Sequence, residues 1–269
     1  MREDRERLAA ARLVVLGAVC GDTIGSPYEF RPTKDLNFKL FTTYSGFTDD
    51  TVCTVAVADA LESGRPVTEC LQQWCRRYPR AGYGGSFRRW FRLENPEPYN
   101  SWGNGSAMRV SAAGAKAANL DDAMQLAKMT AEVTHNHPEG IKGAQATAVA
   151  IYYALGGMKK EEIKSVIERE FGYDLSRPYS QIQPVYSFDV SCQGSVPEAM
   201  IAFLESTDYE SAIRHAVALG GDADTQANIA GGIAAAYYGE IPEAVLTECL
   251  SRLPEDMRET IARFNNSLF

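Results

Sequence analysis

The chain is predicted to be all-α, on three observations. Alanine-rich stretches of helical period recur from one end to the other. Alternating apolar–polar runs longer than about five residues, the usual strand length, are missing. Gly, Pro and Asn gather in a few segments that read as loops. The helical stretches are Leu8–Cys20, Val52–Leu61, Ala123–Glu132, Gly143–Leu155, Ala199–Leu204 and Ile229–Tyr238. In Gly143–Leu155, residues Ala144, Ala148, Ile151 and Leu155 recur at four, three and four, which is one helical face. Lys159–Phe171 and Pro242–Leu253 read as amphipathic surface helices with Glu near their starts, and Pro254–Phe269 as a terminal helix that docks on the core. The loops are Phe30–Gly46, Arg80–Ser86, Glu94–Gly105 and Tyr173–Pro184. Tyr186–Val190 is a weak strand candidate. None of the loops has linker composition, so one domain over residues 1–269 is expected, built of about a dozen short helices.

Composition sets limits on function. Apolar residues are 45% and charged residues 23% of 269, which is globular composition. The net charge is −8, the pI about 5.1, and no block of five basic residues occurs. Broad attraction to nucleic acid or to an anionic membrane is therefore not expected. An anionic small substrate remains compatible, because helix N-termini and bound cations hold phosphate without net positive charge. Six cysteines without a CxxC pair read as buried free thiols of a reducing compartment. The charged N-terminus is unlike a signal peptide, and Val14–Cys20 is too short a run to span a bilayer, so a cytoplasmic location is expected. No exposed heptad is visible, and a monomer is expected.

Two acidic segments carry the functional reading. Phe47-Thr48-Asp49-Asp50-Thr51 precedes the apolar helix Val52–Leu61, and Gly220-Gly221-Asp222-Ala223-Asp224-Thr225 precedes the helix Gln226–Tyr238. Either alone could be an N-cap. Together they are harder to explain that way, because each opens a helix with almost no polar face. Paired carboxylates at a buried helix start repel one another and lose hydration, and a helix end repays only about 0.3–1 kcal/mol. A hard divalent cation repays more, and carboxylate and hydroxyl oxygens suit Mg²⁺, Mn²⁺ or Ca²⁺. The pair Asp121-Asp122 opens a helix with a polar face and reads as an ordinary cap. Glu29, between Tyr28 and Phe30, is either a surface residue or a carboxylate that reaches the metals or serves as general base. Asp22 reads as a partner of nearby backbone N–H groups.

Five segments in order, GDTIGSPYEF (21–30), FTDDT (47–51), SWGNGSAMR (101–109), THNHP (134–138) and GGDADT (220–225), resemble the ADP-ribosylglycohydrolases. The likeness runs from about residue 13 to about residue 240. It implies a compact orthogonal multi-helix fold with two Mg²⁺ or Mn²⁺ ions at the base of a cleft. It implies metal ligation by Thr48, Asp49, Asp50, Asp222, Asp224, Thr225 and Glu29, and catalysis by Glu29, Asp49 and Asp224. It places Ser101, Trp102, Asn104 and His135 by the ADP-ribose. The residues themselves allow Asn104, Gly105 and Ser106 to cradle a diphosphate, and allow the same stretch to be a capped helix start. Trp102 could stack on a base or pack in the core. His137 reads as a capping turn before Pro138. In Arg80–Ser86, Gly84 and Gly85 permit close approach of backbone to phosphate. That loop lacks the aspartate of the arginine-directed branch and looks more like the branch that acts on O-glycosidic links. The expected activity is hydrolysis at the distal ribose of an ADP-ribosylated protein or an ADP-ribose-containing small molecule. The alternatives are an ADP-ribose-binding module without turnover and a recruited interaction protein of the same fold.

Overall fold

The computed structural model describes residues 3–268. Among them there are fifteen α-helices and no strand. The helices are α1 (Asp4–Gly25), α2 (Asp49–Ser63), α3 (Val67–Arg77), α4 (Gly85–Trp90), α5 (Gly105–Met108), α6 (Ser111–Lys116), α7 (Leu120–Glu132) and α8 (Pro138–Leu155). They continue with α9 (Lys160–Phe171), α10 (Tyr179–Ile182), α11 (Cys192–Glu205), α12 (Tyr209–Ala218), α13 (Ala223–Tyr238), α14 (Glu243–Ser251) and α15 (Glu255–Asn266). The expected terminal helix is α15, and Phe269 lies outside the described residues.

Two central helices organise the rest. Helix α1 is buried along most of its length and packs on α13 more extensively than any other two helices pack. The reason is a stripe of glycines four residues apart. A Cβ at Gly17 would stand 2.5 Å from the Ala235 Cβ, at Gly21 2.0 Å from the Ala227 carbonyl oxygen, and at Gly25 2.5 Å from the Ala223 oxygen. Partner numbers fall as α1 numbers rise, so the helices are antiparallel. The C-terminal end of α1, with Asp22 on it and Glu29 just beyond it, therefore meets the N-terminal end of α13, where Asp222 and Asp224 lie.

Replacing Gly21 by Ala is expected to lower stability by roughly 1–3 kcal/mol or more, because the obstructing atoms are backbone and cannot rotate away. Gly46→Ala, where nothing lies within 4 Å, is the control and should be near neutral. Urea titration of both variants checks this; equal midpoints would refute the packing account.

The span Asp4–Tyr28 is long and apolar enough to cross a bilayer by length and composition, beyond what Val14–Cys20 alone suggests. Of its apolar 18-residue window, 72% is buried inside the protein, chiefly against α13. All six cysteines are buried and free.

Several expectations are corrected. Tyr186–Val190 is not a strand but irregular chain, and the nearby pairing is one isolated antiparallel bridge, Gly103 to Ser191. The chain there runs beside an irregular loop and has no second strand to extend a ladder. Tyr173–Pro184 contains α10, and Arg80–Ser86 ends inside α4. The cap near Asp121-Asp122 belongs to Asn119, whose side chain accepts from the Asp122 N–H, while Asp122 accepts from Ala118.

Candidate active site

Three connections bring the acidic segments to one place. The first is Asp22, fully buried on α1, whose carboxylate accepts from the backbone N–H of Thr48 (2.9 Å) and of Thr51 (3.1 Å) and from both threonine hydroxyls. Asp22 thus ties the start of α2 to α1. The second is the glycine-lined contact of α1 with α13. The third is Asn104, buried at the start of α5, whose side-chain amide donates to Asp222 (2.7 Å) and to Ser195 Oγ (3.1 Å). Asp222 stands at the N-cap of α13 but makes no capping bond with its side chain. Its carboxylate faces the cleft.

The cleft has a volume of about 570 Å³, in the range of small-molecule sites. Glu29, Asp49, Asp50, Asp222, Asp224 and Thr225 line its base. Carboxylate oxygens of Glu29, Asp222 and Asp224 all lie within 4.8 Å of one another. Asp49 and Asp50 complete the acidic floor outside that closest trio. Among the described residues none of these acids is ion-paired to a lysine or arginine.

Burial without a positive partner raises every proton affinity in the cluster. Burial, then repulsion from Asp222 and Asp22, lifts Glu29 to about 7. Burial, then Asp22, lifts Asp49 to about 8. Asp50 and Asp224 are pushed well above the carboxylate range by burial, and next by Asp22 and Asp50 respectively. Asp222 is raised by burial, offset in part by Asn104. The Oδ2 atom of Asp50 is buried and has no hydrogen-bond partner. An orphaned oxygen beside a knot of desolvated carboxylates fits a bound hard cation, and the all-oxygen donor set fits Mg²⁺ or Mn²⁺.

The other expected residues divide. Thr48 caps α2, accepting from the Asp50 N–H while donating to Asp22. Thr225 is buried beside Asp50 and lowers its proton affinity by hydrogen bonding. Gly84 and Gly85 face open space on the cleft wall, and Ser101, Gly105 and His135 also line it. Ser106 does not line the cleft; its hydroxyl is fully buried and donates to the Gly140 carbonyl (2.7 Å). Trp102 is not a core residue: it is 53% exposed at the cleft and meets the His137 ring edge-on. His137 caps α8, accepting the Glu139 N–H at Nδ1 (3.1 Å).

The sequence reading missed Phe188 and Val190 on the opposite wall, both about half exposed. Their segment was visible only as a weak strand. It also missed Lys34. The Lys34 ammonium donates to the carbonyls of Gln183 (2.6 Å), Tyr186 (2.7 Å) and Leu219. It thereby holds the wall segment against the turn at Gly220 that leads to Asp222. Lys34 is one of two lysines in a 17-residue loop, and nothing local marks it for this role.

Comparison with known proteins agrees with this geometry. The family model described as ADP-ribosylglycohydrolase matches residues 2–269. The chain is 28% identical to ADP-ribosylhydrolase ARH3 of Homo sapiens, over 90% of this chain and 89% of that protein. It is 26% identical to the ADP-ribosyl-(dinitrogen reductase) glycohydrolase of Rhodospirillum rubrum, over 91% and 92% of the two chains. A solved structure titled ADP-ribosylglycohydrolase-related protein complex superposes with a TM-score of 0.74 at 26% identity, covering 98% of this chain and 100% of that one. The chain belongs to the ADP-ribosylglycohydrolase family.

Proposed function

We propose that the chain is a divalent-metal-dependent hydrolase that cleaves the glycosidic bond at the distal ribose of ADP-ribose conjugates. The acidic floor of the cleft carries the reading: five carboxyl groups share one desolvated site, and among the described residues none is ion-paired to a lysine or arginine. Two Mg²⁺ or Mn²⁺ ions would be held by Asp50, Asp222, Asp224 and Glu29, with Thr48, Asp49 and Thr225. When bound they supply positive charge that polarises ribose hydroxyls and offsets the carboxylates.

The chain's own groups do the rest. The first backbone N–H groups of α4 and α5, with Gly84, Gly85, Gly103 and Gly105 leaving room, donate to the oxygens of the diphosphate. Trp102 and Phe188 offer exposed rings to the adenine. This orients the distal ribose onto the acidic floor. Water attacks C1 as the C1–O bond to the acceptor breaks, the electron pair leaving on the acceptor oxygen. Glu29 takes the proton of the attacking water, and the departing oxygen gains one from solvent at the cleft mouth. Asp49 and Asp224 place negative charge near the oxocarbenium-like centre.

An O-linked acceptor is favoured over arginine. Gly82 adopts φ +114°, and a Cβ there would stand 3.0 Å from Asp49 Oδ1. The loop from Arg80 to Ser86 thus brings backbone, and no acid, against Asp49. Release of ADP-ribose from serine-linked and arginine-linked peptides, with Mg²⁺ and with EDTA, tests the proposal. Faster release from the serine-linked peptide, lost in EDTA, is expected. Binding of ADP-ribose without release from any conjugate would overturn it in favour of a binding module.

A further inference from the structure

His135 is 5% exposed, yet its Nε2 edge reaches the cleft where Gly103 and Gly105 line it. A Cβ at Gly105 would lie 3.1 Å from Nε2, and one at Gly103 3.6 Å. On the other edge, Nδ1 lies 2.6 Å from the Thr134 hydroxyl oxygen. That oxygen also accepts from Arg109 Nη2 at 2.8 Å. Arg109 is itself almost wholly buried, and the same Nη2 donates to the Thr130 carbonyl at 2.7 Å.

The threonine hydroxyl has a single proton, and its destination decides the histidine tautomer. One destination is Nδ1 at 2.6 Å. The competing one is the Ala131 carbonyl at 3.5 Å, the far limit of a hydrogen bond. That carbonyl already accepts from the N–H of Thr134 (3.1 Å), the N–H of His135 (2.8 Å) and Arg109 Nη2 (3.4 Å). The proton therefore goes to Nδ1. Nδ1 is then an acceptor, and the ring proton must sit on Nε2. Burial and the neighbouring Arg109 charge both oppose a second ring proton.

We propose that Arg109 and Thr134 are positioning residues that hold His135 as the neutral Nε2–H tautomer, so that it donates one hydrogen bond into the cleft beside Gly103 and Gly105, to an oxygen of bound ADP-ribose. The role of the ligand rests on the function proposed above; the tautomer is a property of the free protein. The relay gives Thr134 a function that its place in a turn would not suggest, and it gives the buried guanidinium a task beyond capping the end of α7.

Nitrogen NMR of the imidazole in the ligand-free protein at neutral pH tests the first half. The wild type is expected to show a protonated Nε2 and an unprotonated Nδ1 at His135. Thr134→Val, which is isosteric and leaves Arg109 its bonds to the Thr130 and Ala131 carbonyls, is expected to lose that pattern in favour of a mixture. It should weaken ADP-ribose binding about tenfold, the worth of one buried hydrogen bond, with kcat at saturation changed less than KM. Thr134→Ser should restore both tautomer and affinity. A wild-type ring protonated at Nδ1, or a Thr134→Val protein with unaltered tautomer, would overturn the proposal. So would a Thr134→Val protein of unaltered affinity. Failure of wild-type protein to bind ADP-ribose would instead overturn the proposed function, and the NMR result on the free protein separates the two.

Discussion

Asp224→Asn and Asp50→Asn are each expected to lower ADP-ribose release by about 10²–10³-fold, the usual cost of removing one preorganised electrostatic group from an active site. In the absence of metal, each should also raise the melting temperature. Both carboxyls are buried among other acids, and Asp50 Oδ2 lacks any hydrogen-bond partner. Folding without metal must either desolvate each charge or take up a proton to neutralise it, and a neutral amide avoids that cost. For a chain of this length the gain is roughly 2–4 °C for each kcal/mol of cost avoided. Calorimetry in EDTA, paired with Mn²⁺ titration and the release assay, reads all three effects. A variant that melts lower than wild type in EDTA would contradict the account, because it would mean that the carboxylate is satisfied by the protein alone.

The stability of the metal-free protein is expected to fall as pH rises. Glu29 is held near 7 and Asp49 near 8 in the folded chain, against ordinary values of 4.5 and 3.8. Between those limits the folded state binds more protons than the unfolded state. Stability is therefore full below about pH 4 for these groups and is lost on the way to about pH 8. Each unit by which a group is raised corresponds to about 1.4 kcal/mol before solvent screening at the open side of the cleft is allowed for. Divalent cations bind the deprotonated carboxylates, so the stabilisation by Mg²⁺ should grow over the same window. Melting curves at about pH 5, 6.5 and 8, each with Mg²⁺ and with EDTA, measure this. A Mg²⁺ increment that is flat or shrinks with pH would count against cation binding by this cluster.

Much of the helical framework was legible in local pattern. The Ala-rich runs lie within α2, α7, α8, α11 and α13, each helix starting three to seven residues before its run. Helices α3 and α12 had usable signals that were not read. In α3, Val67, Cys70, Leu71, Trp74 and Cys75 mark one buried face, and in α12 the Asp208–Ser211 pair forms a capping box. The segment Cys192–Pro197 hid the first half of α11, because Gly194 and Pro197 argue against a helix locally. Packing overrides them: Ser195, Val196 and Pro197 are all buried, and the Ser191 cap starts the helix.

The acids divide in the same way. That Thr48-Asp49-Asp50 and Asp222-Ala223-Asp224 were too acidic for simple caps was visible from composition and from the apolar helices behind them. The role of Asp22 as a holder of neighbouring N–H groups was also visible, since a carboxylate at the end of a buried helix needs donors. The exposure of Trp102, the wall made by Phe188, the burial of the Ser106 hydroxyl and the grip of Lys34 were not. Each depends on which distant segment lies alongside, and that is a non-local matter.

By itself the sequence determined the helical class, the residue types able to bind a hard cation, and the acidic helix starts that present them. Those follow from periodicity, capping and charge, which act over a few residues. Only the tertiary structure decided that the two acidic starts share one floor. That outcome rests on Gly17, Gly21 and Gly25 letting α1 and α13 touch backbone to backbone, on Asp22 binding the start of α2, and on Asn104 holding Asp222. Close packing and buried hydrogen bonds join residues from 26 to more than a hundred positions apart, and no local pattern encodes their meeting.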